Sequence, residues 1–221
     1  MIVFRKKFLY CTVFVSIYFI LILLGISIFS TNQTNWLSNT FFDKVFLFLL
    51  TPIFAFIASS IGESGNTTFY IRTRSRTRGI AILLKQQYIV SIVYVTLWIL
   101  IICVFLIFRF GNISPAILSN LCKFYFRYIL GYVIFINLST MFSRTQSKQL
   151  STAPYACSYL LLVAEILVFY PTVDKMPNLP NISLVYSWIF SSNPFAALFL
   201  IMFVVITTFI IFQYYSQKDI Y

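Results

Sequence analysis

Long apolar runs alternate with short polar segments along this chain, and the runs are the right length to cross a bilayer. A spanning helix needs roughly 20 apolar residues, and six stretches qualify: residues 8–30, 42–61, 88–108, 127–143, 150–170 and 193–213. The runs are read as helices because an isolated strand would leave unpaired backbone groups facing lipid, and the short alternating segments of a barrel are missing. The second run is the least regular, with Asp43 and Lys44 at its mouth and Pro52 near its middle, which predicts a kink. Arg5, Lys6 and Lys7 precede the first run, but its apolar stretch exceeds a signal core of about 7–15 residues, and no small-x-small cleavage site follows. It reads as an uncleaved first span. The expected fold class is therefore all-α: a polytopic transmembrane helical bundle of about six spans in a single domain over residues 1–221.

Composition agrees with the pattern. Hydrophobic residues make up 60% of the 221 and charged residues only 10%, against about 25% charged in ordinary soluble domains. The net charge of +11 follows the span map. Arg5, Lys6, Lys7, Arg72, Arg74, Arg76, Arg78, Lys85, Arg144, Lys148 and Lys218 fall on one side, whereas Lys44, Arg109, Lys123, Arg127 and Lys175 fall on the other. The positive-inside rule then places both termini in the cytoplasm of a multi-pass cell-membrane protein. Anchoring to anionic membrane lipid accounts for much of this charge, and no nucleic acid is needed as a partner. Richness in Ile, Phe, Tyr and Asn with only six glycines suggests AT-rich coding DNA and fits a bacterial source.

Little in the sequence points to catalysis. There is no histidine, and Asp43, Glu63, Glu165, Asp174 and Asp219 are scattered without a pair at helical spacing. Ser139 and Ser143 have no recognisable partner base. Cys11, Cys103, Cys122 and Cys157 form no CxxC pair, so no metal or cofactor site is expected. The chain reads as a non-enzyme. Two intramembrane polar residues stand out. Glu165 is the one acidic residue well inside a run, where a carboxylate needs a partner, a wet cavity or a proton; it could also snorkel to the outer surface or pair with Arg127 or Lys175. Asn137, in the fourth run, fits an interhelical hydrogen bond better than a substrate contact.

The most distinctive polar stretch is "YIRTRSRTRGIAILLKQQYIVSIVY", which begins at Tyr70. Gly62, Gly65 and Asn66 mark a turn before it, and from Thr68 to Lys85 only Gly79 weakens a helix, so a short helix should feed directly into the third span. On such a helix Arg72 and Arg76, and Arg74 and Arg78, are like-charged neighbours that repel by a few tenths of a kcal/mol per pair, on the order of 0.2–0.5. The cluster wants a negative partner, either lipid phosphate or an acidic protein surface.

That stretch, with its Arg-x-x-Ser-Arg core from Arg72 to Arg76, resembles the cytoplasmic segment before the third span of type-2 ABC transporter permeases. The C-terminal "FIIFQYYSQKDIY", the basic N-terminal lead-in and the proline-bearing external segment before the last span are similar to that family as well. The resemblance implies a permease subunit that pairs with a second permease half, as a homo- or heterodimer, and with a separate cytoplasmic ATP-binding subunit, since the chain carries no P-loop. It further implies an ATPase-coupling role for the segment of Arg72, Arg74, Ser75, Arg76, Arg78 and Lys85, and a re-entrant segment around Pro171, Pro177, Pro180, Trp188 and Pro194. The substrate would be peptide, drug-like or lipid-like. An ordinary external loop with Trp188 at the membrane interface is the plain alternative for that segment. For the whole chain the alternatives are a bacteriocin-immunity or membrane scaffold protein without transport activity, and a free-standing carrier, for which the two halves lack the internal similarity expected.

Overall fold

The computed structural model describes residues 2–28, 32–41, 45–62, 76–142, 153–169, 184, 187–188 and 194–217. The described residues are helical apart from short connections and contain no strand. The helices are α1 (Ile2–Ile28), α2 (Gln33–Thr40), α3 (Thr51–Gly62, entered through a π-helical turn at Phe46–Leu50), α4 (Arg76–Phe110), α5 (Pro115–Phe142), α6 (Ala153–Phe169) and α7 (Pro194–Gln217). Four of them, α1, α4, α5 and α7, are long and apolar enough to cross a membrane, and α3 and α6 are shorter apolar helices. At about 1.5 Å per residue, the 17 residues of α6 reach roughly 25 Å. That falls short of a hydrocarbon core of about 30 Å.

Leaving aside the short α2, helices that follow one another along the chain run in alternating directions, as their contacts show. Thr96 of α4 meets Tyr125 of α5 while Tyr88 meets Asn137, so α4 and α5 form an antiparallel hairpin. Phe19 of α1 packs on Tyr94 and Trp98, and Arg109 donates to the carbonyl of Ser27 at 2.6 Å, so α1 and α4 are parallel. The end of the bundle that carries Arg76 is called the basic end below.

The α4–α5 turn is built from its sequence. Gly111 sits just past α4 at φ 79°, a left-handed conformation that a side chain would strain, and its N–H bonds to the carbonyl of Ile107 at 2.9 Å. This is the usual glycine stop of a helix. Ser114 then precedes α5, and Pro115 takes its first position, where the missing N–H costs nothing. Gln33 of α2 donates to the Asn112 carbonyl at 3.0 Å, and Trp36, fully buried, stacks on Phe105. The segment between the first two runs is thus a short packed helix, not a plain loop.

The kink expected at Pro52 takes a specific form. Proline cannot donate to the carbonyl of Phe48 and its ring crowds that turn, and the chain answers with the π-helical turn at Phe46–Leu50. Widened turns of this kind free backbone carbonyls. Tyr94 donates its buried hydroxyl to the Leu50 carbonyl at 2.6 Å.

The core runs through the middle of the bundle and is strongly aromatic. Phe19, Phe54, Tyr94, Trp98, Tyr132 and Trp188 are all buried, and their rings touch in a chain: Phe19 on Trp98, Phe54 on Tyr94 and Tyr132, and Tyr132 edge-on to Trp188 at 5.2 Å. α5 is the central helix, packing against α4, α6 and α7, and Gly131 to Asn137 are buried without a break. The outer helices expose apolar side chains instead, such as Leu9, Val13, Ile17 and Leu21 on α1 and Ile201, Val205 and Phe209 on α7. Such contiguous apolar faces suit hydrocarbon and would be costly in water.

One boundary differs from the sequence reading. α5 begins at Pro115, well before residue 127, so Arg127 stands inside a helix instead of at its mouth. There, polar residues in the first turns of a helix were read as lying outside it.

Candidate functional site

α4 carries the basic segment. It is 35 residues long without interruption, roughly 50 Å at about 1.5 Å per residue, and exceeds a hydrocarbon core of about 30 Å. The apolar part begins near Tyr88, so the turns from Arg76 to Gln87 extend the same rod beyond it. The expectation of a helix feeding directly into the third span is met from Arg76 onward. Arg78 and Lys85 are exposed and share one face, seven residues apart. Arg72, Arg74 and Ser75 lie outside the described residues, and Arg76 is the first residue of the helix.

Immediately past the basic turns lies a layer of buried polar side chains that joins five helices. Asn137 of α5, fully buried, is its hub. Its amide nitrogen donates to the hydroxyls of Thr207 at 2.8 Å and Thr208 at 3.1 Å on α7, and its amide oxygen accepts from the Tyr88 hydroxyl at 2.6 Å on α4. The interhelical role expected for Asn137 is what the structure displays. Beside it, Gln87 of α4 donates to the Tyr155 hydroxyl of α6 at 2.7 Å, and Tyr155 donates at 3.4 Å to the carbonyl of Ala58 on α3. Ser139 and Ser158 join α5 to α6 at 3.0 Å. The amide oxygen of Gln87 is buried and meets no donor among the described residues.

Buried side-chain hydrogen bonds matter here for specificity more than for strength. In lipid the helices have little hydrophobic reason to prefer one partner over another, and polar pairs set register and rotation. The layer fixes α3, α4, α5, α6 and α7 to one another about three turns from Arg76, so a displacement of the α4 rod must move the other four helices or break the layer.

Glu165 and Arg127 sit nearer the opposite end. Glu165 is half-buried, on the stripe that continues from Tyr155, Ser158 and Leu162 at helical spacing toward the bundle. Arg127 on α5 is buried, its guanidinium 5.2 Å from the Phe124 ring, within the range of a cation–π contact. The arginine is thus a core residue of the bundle and not part of an external loop.

Trp188 also departs from expectation. Instead of marking an interface, its indole is buried against Tyr132 and lies directly over Gly131, halfway along α5. Trp188, which falls between α6 and α7 in the chain, thus lies at the middle of the bundle, although the adjoining ends of those two helices lie at the far side from the basic end. Pro171, Pro177 and Pro180, on which the re-entrant reading also rests, lie outside the described residues.

Gln87, Tyr155, Thr207 and Thr208 were not distinguished in the sequence. Their partners are remote along the chain, 68 residues apart for Gln87 and Tyr155, and a polar residue inside an apolar run was the only signal that could have flagged them. Among the described residues no group of three His, Cys, Asp or Glu gathers as metal ligands. The chain matches no protein-family model, no curated protein and no solved structure.

Proposed function

We propose that this chain is the membrane-spanning subunit of an ABC-type exporter, moving a peptide, drug-like or lipid-like substrate when driven by a separate cytoplasmic ATPase. One observation carries the reading: α4 is a single unbroken helix from Arg76 through its exposed Arg78 and Lys85 to Phe110. A rigid rod with a basic outer end transmits a push from an acidic docking surface without a flexible link. The polar layer behind it, centred on Asn137, spreads that push to α3, α5, α6 and α7. The aromatic core closes the middle of a single chain, so the substrate path in this reading forms against a second permease half. In it the basic end faces the cytoplasm, as the distribution of Lys and Arg favours, eleven against four once Arg127 is counted inside the bundle.

Orientation is tested first. A reporter placed near Arg76 should read as cytoplasmic and one near Asn35 as external. An external reading at Arg76 removes the docking surface from the compartment that holds ATP.

Docking is tested by glutamine substitutions in pairs, Arg72 with Arg76 and Arg74 with Arg78, which remove charge without reversing it. Each pair should weaken recovery of the ATPase subunit in a salt-sensitive way, because charge complementarity across an exposed contact is screened over about 10 Å at 0.1 M salt. Undiminished recovery with both pairs changed would assign the cluster to lipid alone.

A further inference from the structure

A groove of about 330 Å³ runs between α4 and α7 at the basic end, within the roughly 300–1,000 Å³ range of ligand clefts. Ala81, Lys85, Ile89 and Ile92 line one wall and Thr208 and Phe212 the other. The α4 residues fall on one stripe at helical spacing, and all four are exposed. Leu84, buried, and Tyr88 form the floor. The Tyr88 hydroxyl already serves Asn137 at 2.6 Å and lies 3.2 Å from that of Thr208, so the groove offers an occupant mainly apolar surface. Its charged residue is Lys85, three residues before the apolar part of α4 begins.

Apolar walls that open sideways along a membrane helix, ending in one ammonium at the boundary of the apolar zone, match the two halves of a phospholipid. We propose that this groove holds one anionic phospholipid, with an acyl chain along Ile89, Ile92 and Phe212 and the headgroup phosphate on Lys85. The lysine stem lies along the apolar wall while its ammonium reaches the headgroup level, where it has three protons to donate to phosphate oxygens. A zwitterionic lipid brings its own cation to that place, which Lys85 repels, so the site selects for net negative charge. Arg78, exposed on the same face seven residues earlier, adds to the positive potential. The site also has a consequence for the bundle, because Tyr88 and Thr208, which line it, belong to the polar layer around Asn137: a seated lipid covers that side of the layer and holds α4 against α7. None of this depends on the transporter reading.

The test uses the full chain carrying Ile89→Trp, in vesicles of phosphatidylcholine and phosphatidylglycerol in equal amounts with one or the other brominated on its acyl chains. The emission of the native tryptophans is subtracted by means of the unsubstituted chain. Brominated phosphatidylglycerol should quench the reporter in excess, corresponding to about fivefold enrichment at the groove for one basic residue at the membrane surface. Lys85→Gln should bring the preference close to one while leaving quenching by phosphatidylcholine intact, which shows that the variant is still inserted. A second reporter, Phe212→Trp on the opposite wall, must give the same preference, and it substitutes for the first if that variant does not fold. Equal quenching by the two lipids overturns the proposal, since it describes bulk lipid contact alone. A preference that survives Lys85→Gln overturns it as well, including the case in which the same substitution reduces ATPase recovery and so assigns Lys85 to a protein contact.

Discussion

Gly131→Ala is expected to destabilise the bundle by about 1–3 kcal/mol, the usual cost of overpacking a filled core. In an exposed helix the same change would stabilise by roughly 0.5–1 kcal/mol, because glycine gives up more backbone entropy on folding than alanine does. The sign reverses here because a Cβ at this position would collide with the indole of Trp188. That indole has little room to retreat, being buried and held edge-on by Tyr132 at 5.2 Å. Thermal unfolding of the detergent-solubilised chain measures the loss. Combining Gly131→Ala with Trp188→Ala should cost less than the sum of the two single changes, since the collision disappears with the ring. An alanine variant as stable as the parent would place Trp188 elsewhere and remove its indole from the core.

Asn137→Leu should cost a similar amount, about 1–3 kcal/mol, by a different route. Leucine fills much of the volume but abolishes three hydrogen bonds to Tyr88, Thr207 and Thr208. A single such bond between membrane helices averages about 0.6 kcal/mol and reaches about 1.7, and a buried donor left without its acceptor adds to the loss. Thr207 keeps its bonds to the carbonyls of Phe203 and Val204 and Tyr88 keeps its contact with Thr208 at 3.2 Å, so the penalty is that of the lost Asn137 bonds, the short one to Tyr88 foremost. Tyr88→Phe alone should therefore cost less than Asn137→Leu, and the double variant little more than Asn137→Leu alone. Strictly additive losses would show that the two side chains act separately.

How much of this was legible in the sequence depends on what lipid does to the usual signals. The helices themselves could be read from run length, and the direct continuation of the basic segment into the third span from the absence of proline between Thr68 and Lys85. Asn137 could be read as an interhelical contact because an amide inside an apolar run has few other places to go. Which face of each helix turns inward could not be read. The exposed Leu21 and Val205 are as apolar as the buried Phe19 and Leu200, so the contrast that reveals a core in water is missing. Charge misled in the same way: Arg127 looked like the edge of a span because its guanidinium should stay in water, and the Phe124 ring that receives it is visible only in the fold. Trp188 looked interfacial by residue type, and nothing local announced that Gly131, 57 positions earlier, leaves the space into which the indole fits.

The most direct test of an ATPase-driven permease is recovery of its motor. The full-length chain, tagged and co-expressed with its neighbouring genes, is purified in mild detergent and its partners are identified. The expected result is a soluble P-loop ATPase in stoichiometric amount, lost progressively as salt is raised. Recovery of the chain with no ATPase, under conditions in which its fold is retained, would contradict the transport reading and leave a membrane immunity or scaffold protein in its place.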